Sequence, residues 1–226
     1  MEIEIQMQPA CSVAKVTLAA GESLTTEGGA MIAMSGNLDI ETSTHKKSGG
    51  GGIMSGLKRM ISGESFFINH YTARQSQGEI YLAPTLHGDM FVKELNQDAL
   101  VVQSGSYMAS ETGINVDFNW QGLKSVFSGE GMFWLNLNGT GKVIINAFGV
   151  IYPVEVDGEY IVDTGHIVAF EPSLKFDISK AGESWVSSFL GGEGFVCRFK
   201  GQGTVWCQSH NPSTFGGILG PKLKPR

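Results

Sequence analysis

The chain has 226 residues, 42% hydrophobic and 17% charged, a balance that excludes disorder and supplies a sizeable core. Its formal net charge of −6 excludes nucleic acid as the main partner, because phosphate binding needs clustered Lys and Arg. Cys11, Cys197 and Cys207 are too few and odd in number for a secreted disulfide framework, and 31 glycines without a collagen period point to many tight turns.

In chain order, Glu2-Ile-Glu-Ile-Gln-Met7 alternates polar and apolar residues, the period-2 pattern of a strand with one buried face, and Pro9 closes it. The acidic residues stand where a signal peptide carries basic ones, and no apolar run approaches the ~18 residues of a membrane span, so a cytoplasmic protein is expected. Val13, Val16 and Leu18 continue the alternation. Gly21-Glu22 turns the chain into a further strand, Ser23-Leu-Thr-Thr26.

A Gly-Xaa-apolar-apolar-Ala step then recurs at Gly29–Ala33, Gly105–Ala109 and Gly165–Ala169. Downstream of each lies a Gly-Glu corner, at Gly63-Glu64, Gly129-Glu130 and Gly192-Glu193, with spacings of 35, 25 and 28 residues from the first Gly to the Glu. The later copies add Gly139-Thr-Gly141 and Gly201-Gln-Gly203, and Gln77-Gly78 is the weaker counterpart in the first. All are read as hairpin turns, where Gly permits positive φ. The expectation is one fused body over 1–226, with repeats at about 12–84, 85–149 and 150–210 and a basic tail at 211–226.

Gly21-Glu-Ser23, Glu27-Gly-Gly-Ala-Met-Ile-Ala-Met34, Ser62-Gly-Glu-Ser-Phe-Phe67, Tyr81-Leu-Ala-Pro84, Gly88-Asp89 and the later Gly-Glu-Gly corners together resemble the mitochondrial-biogenesis family named for altered inheritance of mitochondria. The resemblance spans about residues 3–210 and points to the family's bacterial, uncharacterised branch. It implies an all-β fold like that of the tryptophan RNA-binding attenuation protein (TRAP). Three homologous β units would surround a pseudo-threefold axis, in a double-stranded β-helix or β-sandwich arrangement with short helical turns. It brings no catalytic residue. Mitochondrial members are linked to inner-membrane organisation, but an Arg-rich amphipathic presequence is not seen here, so that role is not carried over.

Glu64, Glu130 and Glu193 have two readings: caps for local N–H groups, or carboxylates gathered at the threefold axis to attract a cation. Five histidines show no metal-ligand spacing, and no cofactor motif is present: Gly49–Gly52 lacks the Lys-Ser/Thr of a phosphate loop. Residues 44–56 are expected to form an exposed loop. After it, Ile53, Leu57, Met60 and Ile61 share one face of a short helix, with Lys58 and Arg59 on another. This helix either covers its own β unit, as 123–127 and 185–190 would in the other copies, or contacts a membrane or partner. The apolar-then-basic tail from Phe215 suits a weak membrane-surface contact or a frayed terminus. Cys197 and Cys207, symmetric about Gln202, are placed to face each other across a hairpin as a thiol pair or as buried apolar side chains.

The function read from this is a non-enzymatic interaction or scaffold module that self-associates and serves an unknown protein partner. A small-ligand binder with an aromatic pocket between units, and a membrane-surface organising protein, are the alternatives.

Overall fold

The structure, a computed structural model, describes residues 1–44, 67–117, 134–180 and 195–224. Strand alternation sets the first elements as expected. β1 (Glu2–Gln6) pairs antiparallel with β2 (Val13–Leu18), whose Ala14, Val16 and Leu18 face the core while Lys15 and Thr17 do not. β3 (Ser23–Glu27) likewise buries Leu24 and Thr26. Then come β4 (Met31–Met34), β5 (Leu38–Thr44), β6 (Phe67–Ala73) and β7 (Gly78–Leu82).

The second half of the chain departs from the expected hairpins. Gly139-Thr-Gly141 lies inside one strand, β11 (Trp134–Asn146), and Gly201-Gln-Gly203 inside another, β15 (Phe195–Gln208). A Gly-Xaa-Gly step serves a mid-strand bend as well as a hairpin, because both need positive φ and room for close backbone approach. Here a register shift against β8 (Met90–Gln103) falls between Gly139 and Thr140. Ahead of the bend β11 pairs with β10 (Ile114–Asp117), and beyond it with β9 (Tyr107–Glu111). A strand without a hairpin also separates the thiols. Cys197 and Cys207 are ten residues apart on β15, up to about 33 Å at a strand's rise per residue, and both are free and buried. No pairing across a hairpin exists for them.

β15 collects partners as β11 does: β12 (Ile151–Asp163) along its length, β14 (Lys175–Lys180) on its first half and β13 (Ile167–Phe170) on its second. β4 on β7, β9 on β11 and β13 on β15 share one irregularity, a slip after Met31, at Ile144/Ile145 and after Ile167. All of these pairings are antiparallel. The strand orders are β1-β2-β7-β4 and β12-β15-β13-β8-β11-β9-β3-β6-β5, with β10 and β14 off the path. The result is an all-β fold. Its core falls into three clusters, one around Leu18, Ile80 and Tyr71, one around Leu100, Leu137 and Ile145, and one around Phe170, Phe199 and Val205.

The tail is a helix rather than frayed chain: α1 (Pro212–Leu219) starts at Asn211, whose side chain accepts from the N–H groups of Ser213 and Thr214. Among the described residues no helix is long and apolar enough to cross a membrane.

Candidate functional site

The residues singled out from the sequence, Ile53, Leu57, Lys58, Arg59, Met60 and Ile61 together with Glu64, Glu130 and Glu193, all lie outside the described residues. So do the 44–56 loop beyond Thr44 and the helical turns at 123–127 and 185–190. What the structure brings together is a polar seam where β3 meets β9.

On β6, His70 stands opposite Thr25 of β3 and Glu41 of β5. Its Nδ1 is 3.1 Å from Thr25 Oγ1 and its Nε2 is 3.1 Å from Ser43 Oγ. Thr25 in turn stands opposite Ser110 of β9, whose Oγ is 2.8 Å from the Tyr107 hydroxyl. Tyr71 bonds the side chains of Asn69 and Thr26. Burial pushes the Glu27 carboxyl up to about 7. Burial also carries the Tyr107 phenol above its usual range, and the nearby Glu27 charge adds to this. The order Ser43, His70, Thr25 has the shape of a nucleophile, base and orienting group. The third member is a hydroxyl, which does not stabilise an imidazolium as a buried carboxylate does. The seam is therefore a hydrogen-bonded ladder that runs from exposed Ser43 through half-buried His70 and Thr25 towards the buried Tyr107–Ser110 pair.

A polar cleft of about 450 Å³ opens beside this seam, lined by Met1, Gly21, Glu22, Ser23, Glu111, Thr112 and Gly113. No aromatic ring is among these lining residues. Its acids are engaged: Glu22 Oε1 lies 2.7 Å from the Met1 amine, Glu22 Oε2 accepts the Ala19 N–H, and Glu111 accepts the Lys142 N–H at 3.1 Å. The amine and the N–H hold the Glu22 carboxyl below the usual range. Among the described residues no group of three or more His, Cys, Asp or Glu side chains is placed to hold a metal ion.

Exposed apolar side chains lie elsewhere: Met7 after β1, Ile32 on β4, Ile40 on β5, Val150, Tyr152, Tyr160 and Ile161 on or just before β12, and Phe215, Ile218, Leu219 and Leu223 on or after α1. Phe215 also packs its ring on Phe148, centroids 5.4 Å apart. Sequence reasoning missed the seam. The one available signal was the alignment of Glu27, Gln103 and Asp163 ahead of the repeated Gly step.

Comparison with known proteins agrees with the architecture. An uncharacterized protein of Streptococcus pyogenes serotype M6 is 29% identical over 210 residues, covering 91% of this chain and 84% of that protein. An X-ray crystal structure of a Streptococcus pyogenes protein superposes with a TM-score of 0.79 at 27% identity, covering 98% of this chain and 99% of that one. The profile of the family described as mitochondrial biogenesis AIM24 matches residues 3–210, and the chain belongs to that family.

Proposed function

We propose that the chain is a non-enzymatic scaffold or interaction module that self-associates, built from three similar β units in a TRAP-like arrangement about a pseudo-threefold axis, with two of its three unit-to-unit junctions paired within the chain. Support for the three units comes from the pairing scheme. In each, the last long strand (β11, β15, or β6 with β7) pairs with the first (β8, β12, or β3 with β2) and with two short ones, and the first short strand carries the same register slip. The observation that carries the function is where exposed apolar side chains fall. Apart from Met7, Ile40 and Val150 they gather on β4, on β12 and on or after α1, and none of them lines the cleft, as on a surface meant for contact. Light scattering on the purified chain tests this. A mass that stays at 24.3 kDa at all accessible concentrations would remove self-association.

The membrane-surface reading rests on α1, which sets Ile218 and Leu219 outward just ahead of Lys222 and Lys224. Co-sedimentation with vesicles containing anionic lipid, lost on Ile218→Asp, would favour it. Unchanged binding in that variant, or none in either protein, would count against it.

A further inference from the structure

Two junctions between the repeated units, both inside the larger sheet, share one register. β3 meets β9 with Thr26 opposite Ala109 and Thr25 opposite Ser110. β8 meets β13 with Val102 opposite Ala169 and Val101 opposite Phe170. The sequences align without a gap through Glu27-Gly-Gly-Ala-Met-Ile-Ala33, Gln103-Ser-Gly-Ser-Tyr-Met-Ala109 and Asp163-Thr-Gly-His-Ile-Val-Ala169. This alignment gives β12 and β4 the same parts. Ile161 and Val162 stand where Val101 and Val102 do, and Ala33 and Met34 stand where Ala169 and Phe170 do.

Yet those two strands are not paired with each other. β12 ends one strand order and β4 ends the other. Val101, Met108 and Val168 are fully buried, whereas Ile161 is 47% exposed and Ile32, the counterpart of Met108 and Val168, is 57% exposed. Tyr160 is 46% exposed where its counterpart Leu100 is fully buried. The backbone where the units begin repeats the omission. Ser12 N–H donates to Gly88 O at 2.9 Å and Asp89 N–H to Gly149 O at 2.7 Å, but the corresponding Val150 N–H donates to Ser209 Oγ.

We propose that a second copy of this chain fills the vacancy: β12 of one copy pairs antiparallel with β4 of the next, Val162 opposite Ala33 and Ile161 opposite Met34. The proposal rests on the self-associating reading above and names its interface. An unpaired strand edge is a template for another strand, and each chain carries both halves of a contact whose register is made twice within it. β4 brings no charge to the seam, and Glu159 of β12 is already neutralised by Arg198 and by Lys200 at 3.0 Å. Because the two halves differ, the contact is head-to-tail and yields a ring or a filament according to whether the rotation closes.

Ile32→Lys and Ile161→Lys alter exposed side chains and should leave the melting temperature unchanged at concentrations where the wild type is monomeric. Light scattering should show wild-type mass rising with concentration and each variant holding at 24.3 kDa. An equimolar mixture of the two should form dimers, since one retains an intact β12 and the other an intact β4. If the wild type assembles and both variants assemble equally, the seam is wrong while self-association stands. A wild type that never exceeds monomer mass overturns both. In a Cys11→Ser background, mixed Met34→Cys and Ile161→Cys chains should cross-link into a dimer on oxidation. Should the double variant instead close a disulfide within a monomer, the strand meets its own chain and the second copy is excluded.

Discussion

Gly139 lies against the carbonyl oxygen of Gly113, and a Cβ built on Gly139 would stand 2.2 Å from that oxygen. The Thr140 N–H donates to the same oxygen at 3.2 Å, so the turn between β9 and β10 is pinned to the bend of β11. Gly113 is constrained in return: its Cβ would stand 2.1 Å from Thr140 O. Gly139 also has φ +128°, which L side chains rarely adopt. Gly139→Ala should therefore cost about 2 kcal/mol or more in a urea titration. Gly158→Ala, also at positive φ but with open space around it, should cost less. Equal losses would show that the contact with Gly113 is unimportant.

Glu27 makes stability depend on pH in the opposite sense to an ion-paired acid. Its folded-state pKa is raised from 4.5 to about 7 by burial, so the folded chain keeps a proton that the unfolded chain has already lost. Its contribution is fully present below the unfolded value and lost as pH rises through 7. Relative to Glu27→Gln, the wild type should lose up to about 3 kcal/mol between mildly acidic and mildly alkaline conditions. Urea titrations of both proteins across that window check it, and parallel curves would show that Glu27 is solvated.

How much of this was legible follows from the physics of each feature. Alternation in Val13–Leu18 and Ser23–Glu27 reported one buried face directly, and the structure has strands there. Gly139-Thr-Gly141 was legible as a place of unusual φ but not as a bend or a hairpin, because the distinction rests on what the chain meets beyond it. The ladder from Ser43 through His70 and Thr25 joins three strands, β5, β6 and β3, and ordinary polar residues carry no mark of such partners. The exposed edges of β4 and β12 were hidden for another reason: Ile32 and Ile161 are as apolar as their buried counterparts Met108 and Val101, so composition does not mark which of them the fold leaves exposed.

The three thiols should react in two classes. Cys11 is exposed, whereas burial pushes Cys197 up to about 12 and Cys207 up to about 11, leaving almost no thiolate at neutral pH. A chromogenic disulfide reagent should label one thiol per native chain quickly and the other two only on unfolding. Fast labelling of three would mean that β15 opens readily.

Phe170 measures what a closed junction contributes. Its ring sits among Trp134, Phe176 and Phe199 at centroid distances of 5.4, 5.1 and 5.1 Å, and it is almost fully buried at the end of β13, opposite Val101 of β8. Phe170→Ala should cost about 3–5 kcal/mol, the range for an aromatic ring removed from a packed core. Met34 occupies the matching place on β4, opposite Ile80 of β7 on one side but, among the described residues, with no strand on the other, and its side chain is only partly buried. In the monomer Met34→Ala should therefore cost no more than about 1–2 kcal/mol, the rest of its contact being absent. Under conditions where the chain self-associates, the cost at Met34 should grow with concentration while that at Phe170 stays constant. Thermal melts of both variants at low and high concentration read this difference, and a concentration-independent Met34→Ala loss would place the self-contact away from β4.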